Sequence, residues 1–178
     1  MKLQFLTALL LLALAACNTP KPEPEPAATT TAATPSANHD YGVKFTYSSN
    51  FAWGDPALGD KIVSIWKHYD ANTLDSTLSY FADSVNTDIP GLQGTFQKDS
   101  LIAMVKSARG QASSCISTYD ALTTMKANEK EETVVCIWGK EKTVVKGKTM
   151  VRDLSEVWGL NKEGKITWVK GYELPKTQ

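Results

Sequence analysis

Arg152 and Glu156 stand four residues apart in an alternating stretch where Met150, Arg152, Leu154, Glu156 and Trp158 share one parity. On an extended strand that parity is one face. A guanidinium and a carboxylate there would project together into whatever the face covers, and could orient an anionic or polar ligand. The other reading of the pattern is an exposed strand end with both charges solvated. Trp66, Trp138, Trp158 and Trp168 offer large apolar surfaces that suit either the wall of a cavity or plain core. Two distant histidines, His39 and His68, with the cysteines Cys115 and Cys136 give too few soft ligands at useful spacing for zinc, so no metal is expected. His68, close behind Trp66, reads as a surface side chain. The sequence has no nucleophile elbow, no phosphate-cradling glycine loop and no His-Glu metal motif. No cofactor is implied.

The elements that must position these groups fall into two blocks. Asp55-Pro56 is an N-cap followed by proline at the first helical position, and Leu58, Ile62, Ile65, Trp66 and Tyr69 then recur at three- and four-residue spacing. After an interruption at Asn72 to Asp75, Leu74, Leu78, Tyr80 and Phe81 predict a shorter second helix running into Ala82-Asp83-Ser84. A brief extended piece, Val85 to Ile89, is turned by Pro90-Gly91. Leu101, Ile102, Val105 and Ala108 predict a third helix, with Gly110 as its left-handed C-terminal residue. From Ser113 onward the period changes to two. Four strands are predicted there, Ser114 to Lys126, Thr133 to Val145, Thr149 to Leu160 and Lys165 to Leu174, paired consecutively and antiparallel across turn-forming breaks. In the last, Ile166, Trp168, Tyr172 and Leu174 are expected on the covered face, with Thr167 and Glu173 on the other. Helices first and long strands after imply an α+β domain, a curved antiparallel sheet wrapped around N-terminal helices. A hairpin turning near Asn128 to Glu131 sets Cys136 opposite a residue near 124. That leaves Cys115 too far for a bridge, so two buried thiols are expected.

Composition narrows the function classes. Lys and Arg number 19 and Asp and Glu 19, for a net charge of zero, and the signs are interspersed, so there is no electrostatic footprint for nucleic acid. Lys2, the apolar run Leu3 to Leu14, and Leu14-Ala15-Ala16-Cys17 resemble the signal and lipobox of bacterial lipoproteins. The apolar run is too short to span a bilayer. That resemblance implies cleavage after residue 16, a diacylglycerol on the Cys17 thiol and acylation of the new amino terminus; the alternative is an ordinary secretory signal with a stray thiol. Residues 17–40, rich first in Pro, Lys and Glu and then in Ala and Thr, carry too few large apolar side chains to repay ordering and read as a disordered tether. Polyproline stretches extend by about 3.1 Å per residue. Asn18 lacks the aspartate that retains lipoproteins at the inner membrane, which by analogy favours the outer membrane.

The remaining domain, 41–178, resembles the nuclear transport factor 2-like superfamily, which includes ketosteroid isomerase-like and polyketide cyclase-like proteins. The resemblance rests on element order, on Tyr80-Phe81-Ala82-Asp83-Ser84-Val85 leading into a short strand and Pro90-Gly91, and on Trp158 through Asn161-Lys162-Glu163-Gly164 to Ile166. It implies a cystatin-like cone with a pocket between sheet and helices. Isomerase-like members carry a carboxylate base at the end of the first strand, where this chain offers Asp88. A one-residue offset would turn Asp88 to the opposite face, and the other role for it is to accept hydrogen bonds at the turn. Tyr69 would be the helix tyrosine, and Asp120 or Asp153 the second acid. The implied pocket set is Trp66, Tyr69, Asp88, Trp138, Arg152, Glu156 and Trp158. The first reading is a membrane-tethered envelope lipoprotein whose domain binds a small apolar or amphipathic molecule or pairs as a homodimer. The alternative is an isomerase- or cyclase-like enzyme with Asp88 as general base.

Overall fold

Asp55 begins the first long element as read from sequence, its side chain accepting from the Ala57 amide at 2.9 Å. In the computed structural model, which describes residues 42–175, helix α1 (Pro56–Asp70) buries Ile62, Ile65 and Trp66 on one stripe. Cys17, the signal segment, the tether with His39, and Tyr41 lie outside the described residues. A short strand β1 (Phe51–Trp53) precedes α1. A 3-10 helix over Leu74–Tyr80 follows it, reached through Asn72 in the left-handed conformation at φ 56°.

The next stretch differs from expectation in three ways. Phe81 to Ser84 is strand and not helix end: β2 runs Phe81–Ile89, with Phe81, Val85 and Thr87 buried. Pro90-Gly91 makes a two-residue turn, Gly91 at φ +79°, into a strand not anticipated, β3 (Leu92–Gln97), in which Leu92 pairs with Ile89. Helix α2 (Lys98–Gly110) ends on Gln111 in the right-handed region, and Gly110 does not take the left-handed conformation. Arg109 supplies the reason. Its buried guanidinium donates to the carbonyls of Tyr69, Asp70 and Ala112, fixing the chain's exit and the end of α1 together.

Strands β4 (Ser114–Ala127), β5 (Glu132–Val145), β6 (Lys148–Leu160) and β7 (Ile166–Pro175) form the expected meander. The seven-stranded sheet has the order β1-β4-β5-β6-β7-β2-β3. All neighbours are antiparallel except β2 and β7, so the sheet is mixed at that seam. The fold is α+β, with α1 and α2 on one face. Ile62, Trp66, Leu101 and Ile102 from the helices meet Val135, Ile137, Trp158, Leu160 and Val169 from the sheet in one core.

A bulge corrects the expected facing of β7. Leu160 pairs with Ile166 but Gly159 pairs with Trp168, so Thr167 is an extra residue and the parity flips after it. Val169 and Glu173 consequently face the helices, while Trp168, Tyr172 and Leu174 face outward, the last two 64 % and 68 % exposed. Cys136 pairs with Thr123 and Cys115 with Thr143, and both thiols are free and buried.

Candidate functional site

Between the helices and the inner sheet face lies a cavity of about 570 Å³. Its walls are apolar: Leu101, Ile102, Met104 and Val105 from α2, Ile65 from α1, and Ile89, Leu154 and Val169 from the sheet. Its polar groups are few and come mainly from strands β5, β6 and β7.

Strand periodicity delivers them. Arg152, Leu154, Glu156 and Trp158 all line the cavity, so the alternating face of β6 is the inner one. The tight turn at Lys146-Gly147 pairs Val145 with Lys148, and this register sets Glu141 directly across from Arg152. Glu173 sits opposite Leu154 on the other side. Arg152 Nη2 donates to Glu141 Oε1, and Arg152 Nη1 donates to Glu173 Oε2 at 2.7 Å. Burial works against the charge on Arg152, but Glu141 and Glu173 more than offset it and hold the guanidinium charged.

Glu156 is placed by two indoles. Trp66 Nε1 donates to its Oε2 at 2.7 Å, and Trp158 Nε1 donates to the same oxygen at 3.0 Å. Trp66 reaches across because β5 carries glycine beneath it: a Cβ at Gly139 would lie 2.9 Å from the Trp66 ring and 2.2 Å from the Thr118 carbonyl oxygen. The Glu156 side chain is partly accessible, but towards the cavity. Desolvation pushes its carboxyl up to about 7; the indole hydrogen bonds pull it down, and Glu141 and Glu173 add to the rise. Tyr69 lines the same cavity, and burial, followed by the charge of Glu141, raises its phenol.

Trp66, Tyr69, Arg152, Glu156 and Trp158 are thus brought together, and two residues of the expected set are not. Thr87 and Ile89 line the cavity, so Asp88 between them faces away. It lies 3.5 Å from Lys170 Nζ and accepts from Gln93 Nε2 at 3.1 Å, about half exposed. It has no access to the cavity as a base. Trp138 is on the outer face because its neighbours Ile137 and Gly139 hold the inner one; it is 40 % exposed. Asp120 pairs with Lys140 at 2.8 Å outside the cavity, and Asp153, between the cavity-lining Arg152 and Leu154, has outward parity. His68 shares a 2.8 Å hydrogen bond with Thr73. Glu141 and Glu173 were missed. Glu141 was signalled by the Lys146-Gly147 hairpin register, whereas Glu173 was hidden by the Thr167 bulge. Among the described residues no group of three His, Cys, Asp or Glu is arranged to hold a metal ion.

No protein-family profile matches the chain, and no curated protein is significantly similar to it in sequence. Solved structures are similar in fold. A provisionally assigned aromatic ring hydroxylase from Novosphingobium aromaticivorans is 13 % identical with a TM-score of 0.57, covering 67 % of this chain and 91 % of its own. A provisionally assigned scytalone dehydratase from the same organism gives 11 % and 0.56, covering 66 % and 82 %. A nuclear transport factor 2-like protein of unknown function from Burkholderia pseudomallei gives 16 % and 0.51, covering 65 % and 88 %. At such identities the likeness is one of architecture. With helices closing one face of a curved sheet over a polar-ended cavity, the chain has the nuclear transport factor 2-like fold.

Proposed function

We propose that this protein is a lipid-anchored envelope protein whose cavity binds a small amphipathic molecule. The observation that carries the binding half is the cavity itself: a volume of about 570 Å³ with apolar walls and few polar groups, its charged ones all on β5, β6 and β7. Such a space takes an apolar body and orients one polar end. Native mass spectrometry of the protein purified from its own host's envelope tests this. A discrete small molecule released on denaturation supports it, and an empty domain counts against it.

Anchorage is supported by the Leu14-Ala15-Ala16-Cys17 pattern and by the tether that follows. Three acyl chains hold a protein far more firmly than one, at about 0.8 kcal/mol per buried methylene. Outer-membrane attachment follows from Asn18 by the sorting analogy. Cys17→Ser should abolish incorporation of labelled palmitate and release the protein from the membrane fraction. Retention of the variant in that fraction would count against the anchor.

The outer sheet face favours a second role beside the first. Trp138 and Tyr172 lie in one cross-strand row through Ser155, both exposed, with Leu174 nearby. A second copy of the chain is the occupant we propose for this face, since sheets with exposed aromatic rows can pair through them. Sedimentation of the wild type against Tyr172→Lys tests it; a monomeric wild type removes the role.

A further inference from the structure

We infer that the cavity selects an amphiphile whose polar end is a cation, an ammonium or similar nitrogen base, seated between Glu156 and the Glu141–Arg152–Glu173 cluster. Selection of a cation presupposes that the cavity is a ligand site, as proposed above.

The charge census supports it. Among the described residues lining the cavity, Arg152 is the only base, against Glu141, Glu156 and Glu173. Both terminal nitrogens of Arg152 are already engaged, one by Glu141 and one by Glu173. Arg152 Nε has no partner but is itself buried, so an incoming anion would reach the guanidinium only among three carboxylates. The cluster is net negative, and a cation is the charge that balances it.

Geometry supports it as well. The two indoles hold Glu156 through the same oxygen, Oε2, so neither engages Oε1. Trp66 and Trp158 meet that carboxyl through their N–H edges, and with Tyr69 they add aromatic surface to the cavity lining, which suits an alkylammonium head. Charged or titratable groups that line the cavity with Glu156 are Tyr69 from α1, Glu141 from β5, Arg152 on its own strand and Glu173 from β7; Glu141 and Glu173 act on its carboxyl directly. Helix α2 and strand β2 bring none, offering residues such as Val105 and Thr87.

The test uses three probes with one body and different heads: 4-phenylbutylamine, 4-phenylbutanol and 4-phenylbutyrate. Each is titrated calorimetrically into the lipidated full-length mature protein in nanodiscs, with empty nanodiscs as reference. The amine is expected to bind at least tenfold more tightly than the alcohol at pH 8, and the carboxylate more weakly than either. Its affinity should fall about tenfold between pH 8 and pH 6, as a carboxyl titrating near 7 becomes protonated, while the alcohol's stays level. Glu156→Gln should remove most of the amine's advantage over the alcohol. Glu173→Gln, which leaves both indole contacts untouched, should reduce that advantage two- to threefold. Alcohol or carboxylate binding as tightly as the amine overturns the cation inference and leaves the ligand site standing. Failure of all three to bind above the empty nanodiscs overturns both.

Discussion

Trp66, on a helix, and Glu156, on a strand ninety residues later, meet through a 2.7 Å hydrogen bond from indole to carboxylate inside the cavity. The bond ties the lid of the cavity to its floor, and it determines how the protein should respond to pH. A carboxyl raised from 4.5 to about 7 by folding holds its proton more tightly in the native state. Its stabilising contribution is therefore complete below about pH 4.5 and is lost as pH rises towards 7. The loss is on the order of 3 kcal/mol. Glu156→Gln, whose amide oxygen still accepts from both indoles, should gain stability relative to wild type by about that much between pH 4.5 and pH 8. Urea unfolding of both proteins across this range provides the comparison. A constant difference would show that Glu156 does not titrate near 7.

Arg152→Met should be among the most damaging single changes. Glu141 is only 4 % exposed, and without Arg152 it is left buried and unpaired. The expected loss is about 3 kcal/mol at pH 7. It should shrink in the double variant that adds Glu141→Leu, read by urea unfolding. A loss undiminished in the double variant would point to lost packing alone.

Asp88→Asn should do little. The carboxylate is on the outer face beside Lys170, and exposed pairs of this kind contribute about 0 to 1 kcal/mol. Unfolding free energy should move by no more than about 0.5 kcal/mol, and affinity for any cavity ligand should not change. A large loss of affinity would mean that β2 presents its other face in solution.

Gly139→Ala should couple packing to the site. The new methyl would meet the Thr118 carbonyl and the Trp66 ring at once. Destabilisation of about 3 kcal/mol is expected. Because Trp66 must move, the Glu156 carboxyl should titrate higher than in wild type, which carbon-detected NMR of labelled glutamate would read. Destabilisation without a change in titration would separate the glycine from the site.

Much of this arrangement was legible in the sequence, and the failures have specific causes. The four long strands and α1 were readable because their periods are long and their breaks carry turn formers, as at Asn128 and Lys146. Arg152 and Glu156 could be put on a common face by parity alone. Asp88 was misplaced because a strand reverses its face with each residue, and nothing local to Thr87-Asp88-Ile89 says which parity is buried. Strand β3 was overlooked because Leu92-Gln93-Gly94-Thr95-Phe96 is short, mostly polar and lies at a sheet edge, where burial leaves little pattern. Gly110 looked like a helix terminator, but a buried arginine one residue earlier does that work through carbonyls some forty residues away in sequence.

Thr167 gives the cavity a simple route to change. Were Thr167 taken into the ladder opposite Gly159, alternation would run unbroken from Ile166, carrying the side chains of Tyr172 and Leu174 inward and Glu173 out. One of the two carboxylate partners of Arg152 would then be exchanged for aromatic and aliphatic surface, with the pairing of β7 to β2 shifting alongside. Diversification of such a pocket need not proceed by successive point substitutions at its lining; a one-residue slip past a bulge is enough to recast its preference from charged to apolar heads.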